Sequence, residues 1–376
     1  MNKTASKHPV SALAEDAPST LERLIRAAED AGASDLHIQM RGTTAEVSYR
    51  FDGVLTPGEL LPDGLADRVI GRIKFLAKLQ SWQDSLPQDG RIARQDVGSR
   101  HDLRVATYPT VTGEKAVLRL FTPGGIKALA ELGFDPKTDA ALNQFLRRPS
   151  GLLLLTGPAG SGKTTTIYAC IQELASKGRH IITVEDPVEQ ILPAVMQTEV
   201  NEARGLTFAK AARHLLRQDP QVLVIGEIRD EETATIAIGS ALTGHLVIST
   251  LHAGSCQGVL ERLLVLCRDH SALAAAVDLL LNQRLLRRLC QNCRGKGCAA
   301  CVQTGYRGRV PVTEWLIVDE SLRRGLRRGE IPPLPEHLTL EAAAQSLVPE
   351  TTNPAELSRV LGAGPDPSAA PPVLSV

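Results

Sequence analysis

Aromatic residues make up only 3% of the 376-residue chain. A nucleic-acid surface built on base stacking needs aromatic faces interleaved with basic residues. The basic stretches RLLRRLC and YRGR lack that interleaving, so we read them as surface or subunit contacts and expect no direct nucleic-acid partner. Neither sign of charge is in excess, because 42 Lys and Arg face 42 Asp and Glu. No global field therefore draws the chain to nucleic acid or anionic lipid. Long apolar runs are missing too, and nothing reaches the roughly 20 residues that span a bilayer. The opening MNKTASKHPV is followed by no hydrophobic segment of a secretory signal. These absences point to a cytoplasmic protein.

Seven cysteines are present, and four of them crowd into Cys290, Cys293, Cys298 and Cys301. That is C-x2-C-x4-C-x2-C, two close pairs that suit a tetrahedral Zn²⁺ with four thiolate ligands. A closed four-thiolate site has no open position for water, so the expected role is structural. A redox disulfide or an iron–sulfur cluster are the competing readings of the same ligands.

The chain divides by rhythm. Residues 1–19 are polar and read as a flexible N-terminus. TLERLIRAAEDAGAS follows as an amphipathic helix with Thr20 as its cap. SDLHIQM, TAEVSYRFDGVL, RIARQD, RHDLRVATYPT and KAVLRLF read as strands, and GLADRVIGRIKFLAKL as a second helix. Residues 20–122 thus form a small α+β domain, and 123–135 a linker. From Gly151 the pattern becomes short apolar strands separated by helices: GLLLLTG, HIITVED, VLVIGE and HLVISTLH. That is an α/β core with a largely parallel sheet, spanning 136–361. AAAVDLLLNQRLLRRL is expected to be helical up to the cysteines. The Pro- and Ala-rich residues 362–376 are expected to be a disordered tail.

The chemistry concentrates in GPAGSGKTT: Gly157, Pro158, Ala159, Gly160, Ser161, Gly162, Lys163, Thr164 and Thr165. It matches G-x-x-x-x-G-K-[ST] between a strand and a helix, the context in which backbone N–H groups wrap a polyphosphate. Lys163 would reach the β- and γ-phosphates, and Thr164 would place its hydroxyl on Mg²⁺. No N-K-x-D guanine signature is visible.

Parallel strands present functional groups at their C-terminal ends. Glu227 is the first polar side chain beyond VLVIG, and we expect it to polarise the attacking water. Glu185 and Asp186, after IITV, would serve the Mg²⁺ or its water network, with Glu189 close behind. His252 would either sense the γ-phosphate or bridge strand ends.

These motifs together resemble the secretion ATPases of type II secretion and type IV pilus assembly. GPAGSGKTTT resembles their Walker A, ITVEDPVE their Asp box, LRQDPQVLVIGEIRDEETATIAI their Walker B region and ALTGHLVISTLHA their His box. ASDLHI, LPQDGRI and DLRVATYPTVTGEKAVLRL resemble their smaller domain. The resemblance implies a P-loop (RecA-like) α/β core and a smaller, PAS-like N-terminal α+β domain. It also implies a C-terminal helical region carrying a zinc knuckle. Residue by residue, it implies nucleotide and Mg²⁺ at Lys163 and Thr164, and the catalytic glutamate at Glu227. Asp-box acids fall at Glu185, Asp186 and Glu189, and His-box histidines at His245 and His252. Arg104 and Arg119 match arginines that the smaller domain turns toward the phosphates, with Arg91 a further candidate. The same resemblance implies an ATP-driven homo-hexamer at the cytoplasmic face of the inner membrane, working on a membrane platform protein. The start near ASDLHI resembles the short competence-type members. The tetracysteine element leans away from the pilus-retraction branch.

Overall fold

The computed structural model describes residues 16–120, 126–334 and 339–362. Residues 1–15, the start of the expected linker and most of the expected tail lie outside these. The chain divides into two compact units, residues 1–125 and 126–376.

The first unit runs α1 (Ala17–Ala31), β1 (Asp35–Arg41), β2 (Thr44–Phe51), β3 (Val54–Leu61), α2 (Leu65–Leu76), β4 (Gln88–Ile92), β5 (Leu103–Thr110) and β6 (Gly113–Arg119). The six strands form one antiparallel sheet in the order β3-β2-β1-β6-β5-β4. Strand alternation puts Leu36, Ile38, Val47, Val105 and Leu118 in its core. There they meet Leu21, Leu24 and Ile25 of α1 and Val69, Ile70 and Ile73 of α2. The expected cap Thr20 lies inside α1, fully buried. Asp16 caps the helix instead, accepting from the Ser19 amide at 2.8 Å, because its backbone is still extended where the helix begins.

Directly paired residues share a face of a sheet. The register therefore lines up Arg91, Arg104, Arg119, Asp35 and Arg50 in one row across five strands, on the face away from the helices. Asp35, almost fully buried, joins its neighbours in that row: Arg119 Nε lies 3.1 Å from one carboxylate oxygen and Arg50 Nε 3.3 Å from the other.

The second unit runs α3 (Pro136–Leu146), β7 (Gly151–Thr156), α4 (Lys163–Ser176), β8 (Ile181–Glu185), β9 (Met196–Glu199), α5 (Phe208–Leu215), β10 (Val222–Ile225), α6 (Glu231–Leu242), β11 (Leu246–Thr250), α7 (Cys256–Leu266), α8 (His270–Ala276), β12 (Val277–Leu289), β13 (Tyr306–Ile317), α9 (Glu320–Arg327), α10 (Leu340–Gln345) and α11 (Pro354–Leu361). Its sheet has the order β13-β12-β7-β11-β10-β8-β9, parallel throughout except for β13. The apolar runs of β7, β8, β10 and β11 are buried at every residue because helices cover both faces. Leu152 and Leu154 face α5 to α8, whereas Leu153 and Leu155 face α3 and α4.

Asp135 starts α3 by accepting from the amides of Lys137 (2.9 Å) and Thr138 (3.1 Å) and from the Thr138 hydroxyl. Asp135→Ala should cost about 1 kcal/mol. A lower urea midpoint at unchanged slope would register that loss.

The segment expected to be helical up to the cysteines is not. α8 stops at Ala276, and Val277–Leu289 is a 13-residue strand paired with β7 on one side and β13 on the other. Leucine and arginine favour helix weakly. Here that preference loses to burial of both faces between two partner strands, so the C-terminal region combines helices with a long β-hairpin.

Candidate active site and metal centre

The buried strand β7 delivers its C-terminal end to the loop Gly157–Gly162, and α4 begins at Lys163. Gly157 (φ 140°) and Gly162 (φ 91°) adopt conformations that other residues resist. Space also requires glycine: a Cβ would lie 2.4 Å from the Gln283 carbonyl oxygen at Gly157, and 2.7 Å from Gln283 Nε2 at Gly162. The first amides of α4 have no partner within the helix and leave positive potential at the loop. Lys163 Nζ arches back to donate to the carbonyls of Gly157 (2.7 Å) and Pro158 (3.0 Å). Burial pulls Lys163 below its ordinary pKa, and the Glu227 carboxylate opposes that fall. Pro158, Ala159, Gly160, Thr164 and Thr165 are exposed, while Ser161 is buried.

Beside the loop lies a cavity of about 130 Å³ lined by Lys163, Thr164, Glu185, Asp186, Glu189 and Glu227, among others. Glu227 stands just past the end of β10. Arg229 Nε donates to one of its oxygens at 2.9 Å, and His252 Nε2 lies 3.1 Å from the other. Arg229 also reaches Asp186 at 3.7 Å, with its guanidinium 5.6 Å from the Phe208 ring centre. The His252–Glu227 contact links the end of β11 to that of β10.

Glu185 is buried and already accepts three hydrogen bonds, from Tyr168, from Thr183 at 2.5 Å and from Gln197 at 2.9 Å. Burial and the Glu185 carboxylate hold the Tyr168 phenol well above its usual pKa. The phenol in turn accepts from the amides of Glu189 (3.3 Å) and Gln190 (3.4 Å), fixing the turn that carries the acids.

One expected residue of this unit falls elsewhere. His245 precedes β11 at the opposite, N-terminal edge of the sheet, where its Nδ1 lies 3.0 Å from the Ser240 carbonyl at the end of α6. The length of β11 separates it from the loop. Arg104 and Arg119 belong to the first unit, in the row described above.

Tyr168, Gln197, Arg229 and Gln283 contact the candidate site residues, and motif reading missed them. For Gln283 a signal existed. NQ interrupts the apolar run LLLNQRLL, and a polar pair in a buried strand must find partners. Asn282 does so by donating to Glu314 at 2.8 Å and to the Gly254 carbonyl at 2.9 Å.

At the far end of β12 the four cysteines converge, their sulfurs all within 4.8 Å of one another. Cys290 and Cys298 are 3.8 Å apart, and Cys293–Cys301 and Cys298–Cys301 are each 3.7 Å. Four thiolates around a tetrahedral ion at the Zn–S bond length of about 2.3 Å would be about 3.8 Å apart. A disulfide would need about 2.05 Å. Burial raises the Cys301 thiol, but the amides of Cys298 and Gly305 and the neighbouring thiols outweigh it and bring it down to about 7. The donor set fits a tetrahedral metal ion such as zinc.

Residues 14–345 match the family described as type II/IV secretion system protein. The type II secretion system protein HxcR of Pseudomonas aeruginosa is 44% identical over 315 residues, covering 81% of this chain and 67% of that protein. The type IV pilus assembly ATPase PilB of Thermus thermophilus is 38% identical over 355 residues, covering 84% of this chain and 40% of that one. The type II secretion system protein E of Klebsiella pneumoniae is 40% identical over 322 residues, covering 79% and 65%. The chain thus spans 40% to 67% of the length of these relatives. Among solved structures, the pilus retraction motor PilT with bound ADP aligns at a TM-score of 0.64 and 26% identity, over 93% of this chain and 98% of that one. The ATPase DotB of Legionella pneumophila shares the fold at a TM-score of 0.64 and 23% identity, over 91% and 90%. The phosphate loop, the acid beside it, the four-cysteine cluster and a match running through both units have one reading: the chain belongs to the type II/IV secretion system protein family.

Proposed function

We propose that the protein hydrolyses ATP and couples that reaction to building a pilus-like or secretion filament. The observation that carries this reading is the convergence of Lys163, Thr164 and Glu227 on one cavity at the C-terminal ends of parallel strands. The likeness to a retraction motor solved with ADP, at 26% identity, supports a nucleotide in that position.

In this reading the amides of Gly160 to Thr165 and the Lys163 ammonium hold the β- and γ-phosphates. Mg²⁺ would offset charge on the phosphates. Since Glu185 already accepts three hydrogen bonds, the Thr164 hydroxyl and the Asp186 carboxylate, which line the same cavity, would hold it, with Glu189 nearby. Glu227, oriented by Arg229 and His252, accepts a hydrogen bond from water facing the γ-phosphorus. Attack forms the new P–O bond and breaks the one to the β–γ bridging oxygen. ADP and phosphate leave, and the water's proton passes through the carboxylate to the phosphate. Arg104 and Arg119 would neutralise charge on the γ-phosphate. A homo-hexamer is part of the same proposal. No helix among the described residues is long and apolar enough to cross a membrane. Work on a filament at the cytoplasmic face of the inner membrane would therefore pass through a platform protein. The cysteine cluster would hold one structural Zn²⁺.

Phosphate release by the purified full chain tests the reading. Mg²⁺-dependent release that stops when EDTA is added is expected. No release and no ATP binding under the same conditions would refute it.

A further inference from the structure

The phosphate loop is held from outside by a residue of another strand. Gln283 lies in β12, next to β7 in the sheet, and is 2% exposed. Its amide nitrogen donates to the Ser161 carbonyl inside the loop at 2.8 Å. Its amide oxygen accepts from the Thr166 hydroxyl in the first turn of α4 at 2.9 Å. One side chain therefore ties the loop to the helix that follows it. Both halves of the amide are used, which fixes its orientation. The same residue sets the space around the loop. Its backbone oxygen occupies the place of a Cβ at Gly157, and its amide nitrogen that of a Cβ at Gly162. The neighbours reinforce the position: Asn282 and Arg284 both donate to the Gly254 carbonyl, at 2.9 and 3.2 Å, beyond His252.

A polyphosphate cradle works because its N–H groups converge before the anion arrives. For the amides to point inward, the carbonyls of the same loop must point outward and find donors there. Ser161 is such a position, and Gln283 is its donor.

We propose that Gln283 is a positioning residue for nucleotide binding: its side-chain amide holds the phosphate loop in the shape that receives the β- and γ-phosphates. It touches no phosphate itself and acts through Ser161 and Thr166. The inference rests on the ATPase reading above.

The test uses the full chain with two substitutions. Gln283→Met keeps the volume and removes both hydrogen bonds. Gln283→Glu keeps an acceptor for Thr166 but sets a second oxygen against the Ser161 carbonyl. Both should raise the Kd for ATP, and the KM, about tenfold, the equivalent of the lost hydrogen bonding. Turnover at saturating ATP should stay within about threefold, since the groups facing the γ-phosphorus are untouched. A purely structural role would lower the melting temperature and leave Kd and KM alone. That result, or ATP binding as tight as in the unchanged protein, would overturn the proposal. If neither variant folds, Thr166→Val removes the hydroxyl that holds the amide oxygen. It should weaken ATP binding about threefold, and no change would overturn the proposal. An unchanged protein that binds no ATP overturns the nucleotide reading as well. Equal binding by protein and variants overturns only the role of Gln283.

Discussion

Glu227→Gln should lower ATP turnover by about 10²- to 10⁴-fold, the usual contribution of a positioned acid–base group. ATP binding should stay within about threefold. The substitution changes little else. The glutamine carbonyl can accept from Arg229 Nε where the carboxylate does at 2.9 Å, and its amide can face the His252 ring nitrogen that lies 3.1 Å from the carboxylate. Geometry survives while the negative charge that draws a proton from water does not. The groups proposed to bind phosphate lie in the loop after β7 and at the start of α4, not at the end of β10, so affinity should not follow the rate. Single-turnover measurement with excess protein separates the two. Hydrolysis at the unchanged rate by the variant would remove Glu227 from the reaction.

The second large effect belongs to the cysteines. The purified chain should carry one zinc per subunit, and Cys293→Ser should release it. Structural zinc contributes about 10–16 kcal/mol in isolated finger peptides, where the metal and the fold form together. Here the large sheet has its own core on both faces, so the loss should be local. Amide exchange should accelerate through residues 290–305, where turns and sulfur contacts replace strand pairing, while β7, β10 and β11 stay protected. Metal analysis and hydrogen exchange on the same sample check both halves. Iron with a visible absorption band would replace the zinc reading. Four titratable thiols and no metal in protein purified without oxygen would end it.

The phosphate loop and the strand ends were legible because their signals are local. A glycine pattern between an apolar run and a helix, and an acid at the end of VLVIG, need no knowledge of distant segments. The four cysteines were legible for the same reason, since ligand spacing survives in sequence. What sequence hid depends on partners far along the chain. β12 reads as helix because its leucines and arginines suit one, and only pairing with β7 and β13 makes it a strand. With β12 misread, Gln283 could not be placed against a loop more than a hundred residues earlier. Tyr168 and Gln197 were hidden likewise, because their meeting at Glu185 joins α4, β8 and β9. His245 shows how a shared motif can hide separation in space. It shares a motif with His252, yet the strand between them sends the two to opposite edges of the sheet.

The arginine row of the first unit shows how a chain with no net charge can still be strongly polarised. Three of its members, Arg91, Arg104 and Arg119, sit directly opposite one another on adjacent strands. Like charges in that arrangement oppose the pairing that holds the strands together, and Asp35, beside Arg119 and Arg50, offsets part of that opposition. Any multivalent anion settling on that sheet would relieve the opposition, so it should raise the melting point of the unit that holds it. Added salt would mimic part of that gain by shielding, and the two effects would not add.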